Sequence, residues 1–226
     1  MDHDPRTVRE RPLARADVEA LLGSPVHLAD CDLAEAALAG LDLTGWTFER
    51  CDLRRSDFSG ARLEGTIWRS CRGGFARFVG ADLTDARFAA SDFNNAELRR
   101  ATLVAASFRG CKLTGADLSD ARALDLAIEE TLLINARLPS FSFRKQILRR
   151  VDFSQADLRK CDFRAVSFEE CSLRDANIAG SKFDGADLRG ADLGGLRLMD
   201  AGLFRGATIS REQAGQLLGE LGLNVR

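Results

Sequence analysis

A period of five residues runs through this chain and leaves few folds open to it. From Ala186 the sequence reads A-D-L-R-G, A-D-L-G-G, L-R-L, and the large apolar residue of each unit can be called its centre. Centres recur at Leu28, Leu33, Leu38, Leu43, Phe48 and onward through Leu188, Leu193, Leu198 and Leu203, 36 units with no insertion. Only Gly73 and Ala123 put a small residue at a centre. Two places before each centre stands a second restricted position, filled mostly by Ala, Cys, Ser or Val. Five matches neither the 3.6-residue turn of a helix nor the alternation of a strand, so the chain is an internal repeat and folds as a solenoid.

A second spacing sets the coil. Cys31, Cys51, Cys71, Cys111 and Cys171 differ by multiples of 20, with Ser91 and Thr131 in the same series. Aromatic centres recur likewise at Phe48, Trp68, Phe88 and Phe108, then at Phe143, Phe163 and Phe183. Like residues stack on like when successive coils lie at strand spacing, so one coil is 20 residues. The units resemble the pentapeptide-repeat family, consensus A-(D/N)-L-x-x, over residues 26–205. That resemblance implies an all-β solenoid, a right-handed quadrilateral parallel β-helix of about nine coils with short terminal helices. Three segments are expected: an N-terminal tail and capping helix over 1–25, the β-helix over 26–205, and a C-terminal helix and strand over 206–226.

Composition enters mainly through what it excludes. Acids and bases nearly cancel, with net charge -2 and pI near 5.8, so neither direct nucleic-acid binding nor membrane attachment is expected. No run is long and apolar enough for a signal sequence or a membrane span, which makes the cytoplasm the expected location. All six cysteines occupy the small core position, and a reducing cytosol argues for free thiols. With only His3 and His27 in the chain, neither a Cys/His metal site nor a Ser/His/Asp set is plausible. The G-A-D-L-R-G-A-D-L-G-G run lacks a P-loop lysine. No cofactor is expected and no enzyme.

Departures from the repeat are local. Residues 1–12 read as disordered, and Leu13, Val18, Leu21 and Leu22 suit a short amphipathic helix ending at Gly23 that covers the first coil. At Gly73 the Trp68 indole of the same coil is expected to fill the space, leaving Phe75 outward. Between Ala121 and Arg150 apolar residues fall at water-facing positions, among them Leu124, Leu132, Ile134 and Ile147. These mark either a partner surface or local repacking around Ala123. Ser210 and Gln213 form a capping-box signature ahead of the stripe Ala214, Leu217, Leu218 and Leu221.

The outer faces remain as the place for function. Numbered by Leu28, Leu33, Leu38 and Leu43, only the second has an acidic excess, 7 to 5. Its pre-centre column carries Asp32, Asp52, Asp92, Asp152 and Asp192, a row diluted by interleaved Arg72, Lys112 and Arg174. For any single Asp the simpler role is a bond to nearby backbone in a turn. The run A-T-I-S-R-E-Q-A-G-Q-L-L-G-E-L-G-L-N-V resembles the C-terminal module of the quinolone-resistance members of the family. That implies a homodimer joined at the C-termini, with Ala214, Leu217, Leu218, Leu221, Leu223 and Val225 as the candidate interface; a simple cap is the alternative. The resemblance also implies a DNA mimic that binds a type II topoisomerase, DNA gyrase or topoisomerase IV, and protects it from quinolones or natural poisons. The competing expectation is a general protein-interaction scaffold with another partner.

Overall fold

The structure is a computed structural model and describes residues 6–195, 202–220 and 222–224. Centre Leu198, together with Leu221 and Val225 of the C-terminal set, lies outside the described residues. The chain divides into two compact units, Met1–Ala127 and Ile128–Arg226. Both use the same coil, and the fold is an all-β right-handed parallel solenoid of about nine turns.

In the first unit β1 (Arg6–Arg9), β2 (Val26–Ala29), β3 (Thr47–Glu49), β4 (Ile67–Arg69), β5 (Arg87–Ala89) and β6 (Ser107–Arg109) pair in chain order. Each residue stands beside the one 20 further on, as Phe48 beside Trp68. Strand β7 (Ala127–Glu129) begins at the end of this unit. In the second unit its Glu129 pairs with Arg149 of β8 (Ile147–Arg149), which pairs in turn with β9 (Ser167–Glu169). A further pair joins β10 (Cys171–Ser172) to β11 (Ala191–Asp192). Single bridges hold the other faces, such as Ala37 to Asp57 and Asp42 to Arg62.

The corners explain the beat of five. Every fifth residue from Asp30 to Gly185 has a positive φ, although most are not glycine. Non-glycine residues adopt that conformation at a cost, which the bonds between coils offset. Around Leu33, for example, its N–H donates to Asp52 at 2.7 Å, the Glu35 N–H donates to Arg54 at 2.9 Å, and the Ala36 N–H closes the corner onto Leu33 at 3.1 Å.

Columns of centres fill the interior. Phe48 stacks on Trp68 with centroids 4.1 Å apart, Phe88 on Phe108 at 4.6 Å, and in the second unit Phe143 on Phe163 at 5.3 Å. The six cysteines are free and buried. At least five thiols donate to the carbonyl 23 residues back, Cys161 to Leu138 at 3.1 Å for instance. Burial pushes the Cys111 thiol up to about 11 and that of Cys161 up to about 12, so both are packing groups and not nucleophiles.

Gly73 corrects one expectation. The space above it is taken by Phe93, not Trp68: a Cβ on Gly73 would stand 2.1 Å from the Phe93 ring. The atom overlying a centre comes from the next coil on the same face, whereas Trp68 lies around the corner and meets Phe93 edge-on at 6.0 Å. Phe75 does point outward.

Both ends also differ from the sequence expectation. Arg6–Arg9 is not disordered but forms β1, in register with Val26–Ala29, because the first coil offers its strand edge as a template. Helix α1 (Arg15–Glu19) buries Val18, and Leu13 beside it, yet stops before Leu22, which is exposed. The Arg15 guanidinium donates to the Ala37 and Ala39 carbonyls at 2.8 and 3.1 Å, in place of the backbone donors that a preceding coil supplies elsewhere. At the far end the spacing does slip. Asp187 bridges Thr208, 21 residues on, and Phe204 rather than Leu203 stacks on Phe183 at 4.8 Å. Helix α2 (Arg211–Glu220) follows with the expected capping box, Ser210 N–H to Gln213 at 2.7 Å and Gln213 N–H to Ser210 at 3.1 Å. The same Gln213 amide donates to the Leu188 and Ala191 carbonyls, both at 2.7 Å. One side chain therefore starts the helix and seals the last coil.

Asp at the pre-centre position ties each corner from outside. Its carboxylate accepts the N–H two residues on, at 2.9 Å in Asp32 and Asp57 and 3.1 Å in Asp82 and Asp162. Where that second residue is Arg, the guanidinium folds back bidentately, as in Asp52–Arg54, Asp157–Arg159, Asp162–Arg164 and Asp187–Arg189. These arginines hold all four carboxyls below the usual carboxylate range.

Two outcomes are expected. Gly73→Ala should lower stability by about 1–3 kcal/mol in urea denaturation because the Phe93 ring must move, while the control Gly74→Ala, with only an ordinary 3.7 Å contact to Asn94, should be nearly neutral; equal effects would refute the packing account. The Asp–Arg corners set the pH response. Unfolded Asp carboxyls bind protons near pH 4 and the folded ones only lower, so this stability is present above about pH 4 and is lost as pH falls through the depressed folded values. Thermal midpoints followed by circular dichroism should be level from pH 7 to about 5 and drop below about 4; an unchanged midpoint at pH 2 would count against it.

Candidate protein-binding faces

Inside each unit the described centres are buried against one another, and the walls and ends are the surfaces that face outward. Among the described residues no group of three or more His, Cys, Asp or Glu is placed to hold a metal ion. An outer recess of about 320 Å³ lies beside the covering helix, lined by Leu22, Pro25, Asp42, Thr44 and Trp46 among others.

The second face carries the acidic column. In the first unit bridges run Asp32, Asp52, Arg72, Asp92, Lys112; in the second they run Leu132, Asp152, Ser172, Asp192. All five aspartates also tie their own corners, Asp92 to the Asn94 N–H at 3.1 Å, Asp152 to Ser154 at 2.9 Å and Asp192 to Gly194 at 2.9 Å. Their environments then diverge. Asp52 is buried and taken up by Arg54, with Arg72 at 3.7 Å. Asp192 is paired with Arg174 at 2.9 Å. No cation lies within 4.0 Å of Asp32, Asp92 or Asp152 among the described residues. The turn role and the unmatched charge therefore coexist: each carboxylate accepts a backbone N–H, with Asp32 exposed and Asp92 and Asp152 half-buried.

The apolar set is not one surface. Leu124, 68% exposed, follows Ala123 on the fourth face of the first unit. In the second unit Ile147, 50% exposed, lies in β8 on the first face, while exposed Leu132 and half-buried Ile134 flank centre Leu133 on the second. At the C-terminus Leu217 is turned inward at 6% exposure, Ala214 is half-buried, and Leu218 and Leu223 are exposed.

Sequence reasoning missed two groups. The Asp-x-Arg clasps had a visible signal, since D-L-R and D-F-R recur at corners. The second bond set of Gln213 had none, because Leu188 and Ala191 become its neighbours only when the last coil closes.

No helix among the described residues is long and apolar enough to cross a membrane. Among curated proteins none matches the chain. Among solved structures it is similar to HetL, a pentapeptide repeat protein involved in heterocyst differentiation regulation from the cyanobacterium Nostoc sp. Strain PCC 7120. That match has 20% identity over 90% of this chain and 89% of that one, with a TM-score of 0.59, and concerns the fold alone. Full-length QnrB1, a plasmid-mediated fluoroquinolone resistance protein, aligns at 21% identity over 97% of this chain and 98% of that one, with a TM-score of 0.47. The family of Pentapeptide repeats matches in eight copies over residues 31–67, 76–120, 129–164 and 161–195. With most of its length matched in this way, the chain belongs to the pentapeptide-repeat family.

Proposed function

We propose that this is a non-enzymatic binding protein whose second face engages a type II topoisomerase, DNA gyrase or topoisomerase IV, in the cytoplasm and shields it from quinolones or natural poisons. The observation that carries the reading is the pair Asp32 and Asp92. Each carboxylate is oriented by a backbone N–H, at 2.9 and 3.1 Å, and neither is matched by a cation within ion-pair distance. Fixed, unmatched carboxylates along one wall offer a DNA-binding surface the charge it expects from phosphates. The likeness of the C-terminal run to quinolone-resistance members supports the same partner. Asp52, clasped by Arg54, adds little to this charge.

The C-terminal helix supports a second part of the proposal: two copies join through α2, with Leu218 and Leu223 as the contacting apolar residues and Leu217 holding the helix to its own chain.

Two experiments test these points. In a gyrase supercoiling assay with a fluoroquinolone, the protein should restore activity, and Asp32→Asn with Asp92→Asn should weaken the rescue by roughly tenfold, the order lost when close charge pairs across an interface are removed. Asn retains the corner bond, as Asn177 does with the Ala179 N–H. Absence of both rescue and gyrase binding would overturn the reading. Light scattering should report a dimer for the natural chain and a monomer for Leu218→Asp with Leu223→Asp; a monomeric natural chain would remove the dimer proposal.

A further inference from the structure

Phe75 stands apart from every other corner residue of the repeat. It has a φ of 62°, a conformation that Gly, Asn and Asp adopt at least cost and a bulky side chain adopts at most. Among the described residues it is the only aromatic at any of these positive-φ positions. Its ring is 52% exposed, so little of the backbone cost is returned by burial. Its N–H still donates to Asn94 at 2.9 Å, so the corner itself is ordinary. A residue that the fold disfavours and the core does not use points to a role at the surface.

The surroundings define that role. The corner column runs Glu35, Arg55, Phe75, Asn95, and the Arg55 guanidinium lies 5.1 Å from the Phe75 ring centroid. Gly74, directly before the ring, has no side chain to cover it. Arg54 and Arg72 extend from the same stretch, with side chains 61% and 69% exposed, and share the buried Asp52. Along this face the two unmatched carboxylates, Asp32 and Asp92, bracket the cluster. Aromatic residues and arginine are both enriched at protein interfaces. Nucleic acid fits the pattern poorly, because Asp32 and Asp92 would meet phosphate on either side.

We infer that Phe75, stacked on Arg55, is the aromatic anchor by which the second face docks on its protein partner. The complementary surface has an apolar recess rimmed by carboxylate for the ring and its arginines, with basic side chains on either side for Asp32 and Asp92. This rests on the topoisomerase reading and adds to it a contact that charge mimicry alone does not require.

The test uses Phe75→Asn in the full chain with purified gyrase as the probe. Asn suits the corner, since Asn95 and Asn135 take the same conformation at φ 56°. The variant should keep its thermal midpoint within about 2 °C or raise it, while gyrase binds at least about tenfold more weakly. If the natural chain binds gyrase and Phe75→Asn binds it equally well, the anchor is refuted and the topoisomerase reading stands. A midpoint lowered by well over 5 °C, beyond what one lost surface contact explains, would make the ring structural and overturn the inference. Failure of the natural chain to bind gyrase sinks the topoisomerase reading, and the anchor with it.

Discussion

Everything in this protein depends on the parallel bonding of one coil to the next at strand spacing. Backbone N–H groups meet carbonyls of the neighbouring coil at roughly 2.7 to 3.1 Å wherever the chain is regular. To reach that geometry on four walls the backbone must turn every fifth residue through the left-handed region, at Phe75 and Arg100 as much as at Gly40. Such corners are unfavourable singly. They persist because each is fixed by bonds to its neighbours and by an apolar centre that has nowhere else to go. Stability is thus a property of stacked coils, nearest neighbour to nearest neighbour.

A solenoid of this kind has two difficulties, and side chains answer both. Its ends expose carbonyls that a further coil normally satisfies, and buried groups without partners are costly. Arg15 answers at one end and Gln213 at the other, each serving two carbonyls. Its walls carry many charges close together. The Asp-x-Arg clasps and pairs between coils, such as Asp30 with Arg50, neutralise many of them locally. In the pre-centre column of the second face the carboxylates that no cation matches among the described residues are Asp32, Asp92 and Asp152, and the exposed Phe75 ring stands at the edge of that face.

Much of this was legible in the repeat. Centres from Leu28 to Leu193, the aromatic columns, the burial of every cysteine, the capping box and the outward turn of Phe75 all follow from spacing and residue type. The acidic column was legible as a column but only in part as a set of environments. The D-L-R at Asp52 marks its clasp with Arg54, which the D-F-N at Asp92 lacks, but the pairing of Asp192 with Arg174 and the approach of Arg72 to Asp52 appear only when the neighbouring coil is in place. The apolar residues between Leu124 and Ile147 look clustered along the chain, yet winding sends them to different walls.

By itself the sequence determined the coil length, which side chains face inward, and on which wall each charge sits, because a period of five under a period of 20 fixes the register, while the hand of the coil came from the family resemblance. Tertiary structure alone decided the rest. It paired the polar segment Arg6–Arg9 as a strand, put Phe93 over Gly73, and moved the last centre from Leu203 to Phe204. The physical reason is common to all three. Each outcome is fixed by contacts with a coil some 20 residues away, where the energy of filling space and completing backbone bonds outweighs any local preference of the residues concerned.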